Sequence, residues 1–235
     1  MSDQIKLVRD ADIVFCIDCT GSMGPILDVV KQNALSFHSD LMAKMAKKNK
    51  QLDKVRVRVI AFRDYREALK DNNPPMLATN FFNLPQDAEK FAASVRGLIP
   101  IGGGDDPEDG LEALGFAIRS DWKVSEGNRK CRHVIALWTD NAPHELGYGR
   151  GCPGYPEEMA RNIEELTSWW GDGLQANGYM PDKSQRRLLL YAPEVGAWKF
   201  ISDNWNQVIL YPAELGKGIR EQEYNEILDA LTYSL

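Results

Sequence analysis

The chain has 235 residues, a formal net charge of −6 and 43% hydrophobic residues. That length suits one α/β domain over residues 1–235, with its core from about residue 10 onward, and is enough to bury a sizeable interior. The acidic balance excludes a basic nucleic-acid face, no apolar stretch reaches the length of a membrane span or signal peptide, and the four cysteines form no CxxC pair. A cytoplasmic protein without a disulfide framework is expected.

Ile13 to Ile17 is a continuous apolar run between Asp12 and Asp18, which suits a strand covered on both faces. Pro25 fits the first turn of a following helix, and Ile26, Val29, Val30, Phe37 and Leu41 continue at helical spacing. The basic segment Ala43 to Lys54 reads as a solvated helix end and loop. Val55 to Phe62 is the second strand. "MLATNFF" is a short third one, and the link to it is too short for a crossover helix, so antiparallel pairing near an edge is expected. Residues 86–95 follow as a helix, then the glycine-rich loop "IPIGGGDDPEDG", then an apolar stripe of Leu111, Leu114 and Ile118. His133 to Trp138 is a buried strand ending at Thr139 and Asp140. The loop "NAPHELGYGRGCPGYP" after it is rich in Gly and Pro, and mobility is expected of it. A helical face at Met159, Ile163, Leu166 and Trp170 precedes strands at 188–191 and 208–211, and a last helix carries Tyr224, Ile227, Leu228 and Leu231. This alternation predicts an α/β fold: a doubly wound, mostly parallel sheet of about six strands with one antiparallel strand, and helices on both faces.

Such sheets bind ligands outside the carboxyl ends of their strands. Asp18, the run Asp105 to Glu108, and Asp140 all fall on that side. Two carboxylates ~4 Å apart repel by about 1 kcal/mol in water and about 4 at an effective dielectric of 20. Either one takes a proton or a cation sits between them. Thr20 and Ser22 add neutral oxygens at the same point, which favours a hard cation such as Mg²⁺. Other readings stand beside this one. Asp18, Thr20 and Ser22 also fit an N-cap cluster, Asp105 and Asp106 fit a cap for the helix after Pro107, and Asp64 with Arg63 and Arg66 fits a surface ion pair. His38 and His133 read as structural. His144 is a candidate partner-facing residue and the one candidate base for a metal-dependent hydrolase, the alternative to a binding module.

Asp18-x-Thr20-x-Ser22 resembles the DxSxS motif of von Willebrand factor type A domains, where it forms the metal-ion-dependent adhesion site. Glu108, ahead of Ala113-Leu114, stands where that family carries its second motif, and Asp140 in "ALWTDNAPH" matches its third. "DDPE" is similar to the integrin β-subunit variant, in which the Glu ligates metal. The resemblance spans roughly residues 10–235. It implies a Rossmann-like fold and Mg²⁺, or Mn²⁺, held by Asp18, Thr20, Ser22, Glu108 and Asp140, with a protein partner's side chain completing the coordination. It also implies a second-cation site, suited to an ion such as Ca²⁺, at Asp64, Asp105 and the Pro107 carbonyl; Gly103 replaces an Asn ligand of that site. Asp18, Glu108 and Asp140 carry three negative charges against two on Mg²⁺. Either a second cation offsets the excess, or the natural ligand is not a simple carboxylate.

Overall fold

A computed structural model describes residues 8–67, 74–102, 107–173, 178–216 and 224–235. In chain order the elements are β1 (Val8–Asp18), a 3-10 turn (Gly21–Met23), α1 (Gly24–Asn33), α2 (Phe37–Lys47), β2 (Lys54–Phe62), β3 (Met76–Ala78), β4 (Phe82–Leu84), α3 (Ala88–Arg96) and α4 (Gly110–Ile118). Then come β5 (Arg129–Trp138), α5 (Ile163–Trp170), β6 (Arg186–Ala192), α6 (Gly196–Asn204), β7 (Val208–Pro212) and α7 (Tyr224–Ser234).

One seven-stranded sheet runs in the order β3-β2-β1-β5-β6-β7, with β4 also paired to β2. The β2-β1-β5-β6-β7 ladder is parallel. The expected single antiparallel strand is split: β3 pairs with the end of β2 and β4 with its start. Between them Thr79 turns inward and its hydroxyl accepts from Val59 N at 3.0 Å, which breaks the run.

Side chains of the central strands alternate between two cores. Ile13, Phe15 and Ile17 pack with α1, α2, α3 and α7 on one face. Val14 and Cys16 pack beneath α4, α5 and α6 on the other. Lower β2 alternates Lys54, Arg56 and Arg58 with buried Val55, Val57 and Val59, whereas Ile60 to Phe62 is buried on both faces. The sheet is therefore doubly wound, as its sequence pattern required.

Two local features differ from expectation. The first helix is broken at residues 34–36, because Asn33 Nδ2 turns back to Val29 O (2.8 Å) and Ser36 O accepts from Ser39 Oγ (2.8 Å). Such short polar side chains compete with the helical ladder. Helix α6 escapes the pattern reading because only Trp198 and Ile201 of it are buried.

Candidate metal centre

The chain leaves β1 to build β2 on one side and returns to build β5 on the other. Strand order reverses between β1 and β5, so a crevice opens at their carboxyl ends. Asp18 is the last residue of β1, and the parallel register pairs Ile17 with Trp138, so Thr139 and Asp140 emerge beside it. Asp18 is fully buried. Its Oδ1 accepts from Thr20 N (2.8 Å) and Thr20 Oγ1 (2.7 Å), and its Oδ2 accepts from Thr139 Oγ1 (2.7 Å). Ser22, exposed at the rim, donates from Oγ to Asp140 Oδ1 at 3.0 Å. Both hydroxyl oxygens keep lone pairs for a further partner. Burial pushes the Asp18 carboxyl up to about 6, and the charge of Asp140 adds to this against three hydrogen bonds that oppose it. The turn carrying Thr20 and Ser22 is held by Gly21 N donating to Gly102 O (3.0 Å) and Ile101 N to Cys19 O (2.9 Å). A Cβ on Gly21 would lie 3.2 Å from that Gly102 oxygen.

Glu108 arrives from the loop before α4. Its backbone bridges Pro143: Glu108 N donates to Ala142 O (3.0 Å), and His144 N donates to Glu108 O (2.8 Å). The loop after β5 therefore fixes the position of the Glu108 backbone. Glu108 is 1% exposed, and neither carboxylate oxygen has a hydrogen-bond partner. Burial raises its pKa to about 10, aided by the charges of Asp18, Asp64, Glu67 and Asp109.

Beside it, Asp64, Asp109 and His144 each offer a ligand atom within 4.8 Å of the others. His144 Nε2 lies 3.2 Å from Asp64 Oδ2, and Asp64 Oδ1 accepts from Arg66 N at 2.5 Å. Asp109 Oδ2 accepts from Tyr65 N at 2.6 Å, while its Oδ1 has no partner. Burial, then Glu112, pushes Asp109 up to about 8. Asp109 was not singled out from the sequence; the signal that existed was a fourth acid, immediately after Glu108 in the run that begins at Asp105. His144 is buried: it is 8% exposed, its ring stacks on Tyr148 at 3.7 Å, and burial lowers its pKa. Pro107 lies half-buried next to Glu108. Asp105, with Asp106, lies outside the described residues. Asp18, Glu108 and Asp140 belong to no group of three drawn within 4.8 Å among the described residues, so any ion shared by them needs the hydroxyls or water to fill the mouth.

The loop after Asp140 is tied down at many points despite its glycines. Trp198 Nε1 donates to Asn141 O (3.0 Å), and Gly147 N and Tyr155 OH both donate to Glu112 Oε1 (3.0 Å each). Arg66 Nη2 donates to Tyr148 O (2.9 Å), and its guanidinium covers that ring at 3.9 Å. Exposed Ile101 and Leu215 flank the crevice: Ile101 N donates to Cys19 O and Gly216 N donates to Asp140 O, both at 2.9 Å.

No family model and no curated protein matches the sequence. Several solved structures are similar in part. Proximal thread matrix protein 1 from the mussel byssus gives a TM-score of 0.48 at 12% identity, covering 97% of this chain and 46% of its own. The open conformation of the pilus adhesin SpaC from Lactobacillus rhamnosus GG gives 0.40 at 17% identity, covering 59% and 15%. The vWF domain of the type V pili tip protein Mfa5 from Porphyromonas gingivalis gives 0.35 at 18% identity, covering 60% and 40%. This chain spans less than half the length of each. Likenesses at these scores carry no argument about what it binds. The class defined by its own strand order and acidic crevice is a doubly wound α/β protein with its candidate site at the strand-order reversal.

Proposed function

We propose that this crevice is a metal-ion-dependent adhesion site of the von Willebrand factor A type, and that the chain is a protein-binding module rather than an enzyme. Mg²⁺, or Mn²⁺, is held by the Thr20 and Ser22 oxygens with Asp18, Glu108 and Asp140 directly or through water. A side chain of a protein partner completes the octahedron. The observation that carries this reading is Glu108, a buried carboxylate whose two oxygens have no donor and whose charge is opposed by that of Asp18. A group in that state holds a proton or a cation, and the hydroxyls beside it are suited to a hard cation. The integrin-β-like "DDPE" stretch supports Glu108 as a ligand. Exposed Ile101 and Leu215 beside the crevice supply the apolar border that partner surfaces use.

The excess negative charge points to a second divalent ion such as Ca²⁺ at Asp64, with Asp109 and His144 as its neighbours; Asp105 and the Pro107 carbonyl are the further ligands that the family resemblance implies. The setting proposed is the cytoplasm, supported by four cysteines that are all unpaired. No helix among the described residues is long and apolar enough to cross a membrane.

Calorimetric titration of the wild-type chain and Asp18→Ala with Mg²⁺ and Mn²⁺ tests the reading. Saturable binding lost in the variant is expected; equal binding by both proteins overturns it. Metal-dependent release of phosphate from a generic ester, abolished by the same variant, would instead favour the hydrolase.

A further inference from the structure

A second constellation lies at the opposite end of the sheet, six residues and about 20 Å along β1 from Asp18. Asp12, Cys131 and His133 each present a ligand atom, and the three atoms lie within 4.8 Å of one another. The β1–β5 register creates this grouping: Asp12 pairs with His133, and Cys131 precedes His133 by two on the same face of β5. Asp12 and His133 are completely buried, and Cys131 is 2% exposed.

The state of His133 is fixed by its neighbour. Its Nε2 is 2.7 Å from Lys123 O, a carbonyl that can only accept, so Nε2 carries the proton. Nδ1 is left as a bare lone pair, buried and without a partner. A metal-binding histidine commonly has this arrangement, one nitrogen donating to a backbone carbonyl and the other free. Asp12 is oriented in the same manner. Arg56 grips it through Nε (2.8 Å) and Nη2 (2.6 Å), and Lys123 N donates to Oδ2 (2.8 Å). Of about four lone-pair positions on a carboxylate, three are used and one on Oδ1 stays open. The Cys131 thiol has only a long contact, 3.8 Å to Arg132 O.

We propose that Asp12, Cys131 and His133 form a buried site for Zn²⁺ or a divalent ion of similar softness, which fastens the α4–β5 connection to the sheet. One sulfur, one nitrogen and one oxygen suit zinc and not the hard cation proposed for the crevice. Binding replaces the Cys131 thiol proton, which leaves to solvent, and a water fills the fourth position. Enclosure of all three ligands makes the role structural. Arg56 balances the charge of Asp12, and the Trp122 ring closes the site edge-on against His133 at 5.2 Å. The inference is independent of the crevice and of its metal.

The test uses the whole chain, stripped with chelator and titrated with Co²⁺ and then Zn²⁺. A thiolate-to-cobalt charge-transfer band that saturates at one equivalent and is displaced by Zn²⁺ is expected. It is retained in Asp18→Asn and Cys152→Ser, and Cys131→Ser or His133→Gln weakens Co²⁺ binding by at least about tenfold. Absence of the band in wild type, or its persistence in Cys131→Ser, overturns the site. Zinc-edge X-ray absorption of the wild-type protein decides the matter without any variant: one sulfur at about 2.3 Å with nitrogen and oxygen donors near 2.0 Å supports it, and an all-oxygen shell refutes it.

Discussion

Thr139 and Asp18 meet across the seam between β5 and β1, with the Thr139 hydroxyl donating to Asp18 Oδ2 at 2.7 Å. The same hydroxyl oxygen accepts from Asn141 N at 3.2 Å, so one side chain orients the acid and shapes the turn that delivers Asp140.

Thr139→Val keeps the shape and deletes both bonds. A hydrogen bond to a charged group is worth about 2 kcal/mol, and a loss of that order is expected in urea unfolding, together with weaker Mg²⁺ binding by calorimetry. Unchanged metal affinity would show that Asp18 needs no orienting partner.

Glu108→Gln separates a metal ligand from a packing residue. Without metal, removing a buried unpaired acid should raise the unfolding midpoint at neutral pH, because no carboxylate has to be kept protonated or desolvated. With Mg²⁺ or Mn²⁺ present, affinity should fall by about ten- to a hundredfold. A variant less stable without metal and unaltered in binding would leave Glu108 a structural residue.

The metal-free protein should lose stability as pH rises. Glu108 moves from an ordinary 4.5 to about 10, Asp109 from 3.8 to about 8 and Asp18 from 3.8 to about 6, each with burial as the leading cause. Between each pair of values the folded chain holds a proton that the unfolded chain has released. Stability therefore falls with pH, starting near the lower values and continuing to the upper ones. In chelator the urea midpoint at about pH 5 should exceed that at about pH 8, and divalent ions should restore the latter. A flat or rising profile would contradict the clustering of these acids.

Gly149→Ala probes the anchored loop. A Cβ there would sit 2.6 Å from Tyr65 Cβ and 3.0 Å from its ring, beside Asp64. Relief requires the loop to lift, at a cost of about 1–3 kcal/mol, and amide exchange of Gly147 should quicken as its bond to Glu112 loosens. Wild-type exchange at Gly147 would show that the loop is held elsewhere.

The order of elements and the strand ends were legible because they are local. A strand covered on both faces is written as the unbroken run Ile13 to Ile17, closed by Asp18. The same logic marked Asp140. That β1 also reaches back through buried Asp10 and Asp12 was not legible, because it depends on their pairing with Arg129 and Arg56 from neighbouring strands. The break after Asn33 and the split between β3 and β4 were not legible, since each depends on single hydrogen bonds that a periodicity does not carry.

Sequence alone determined that a strand ends at Asp18, another just before Asp140, and that hydroxyls stand two and four residues beyond the first. Only the tertiary structure decided which of these groups meet. The reversal of strand order puts β5 against β1 and brings Thr139 to Asp18. The bridge from Glu108 to Pro143 holds the Glu108 backbone beside the loop that follows Asp140, and Asp64 finds Asp109 and His144. Those meetings are set by sheet register and by backbone bonds between loops distant in the chain. Burial at the meeting point then raises the pKa of Asp18, Glu108 and Asp109.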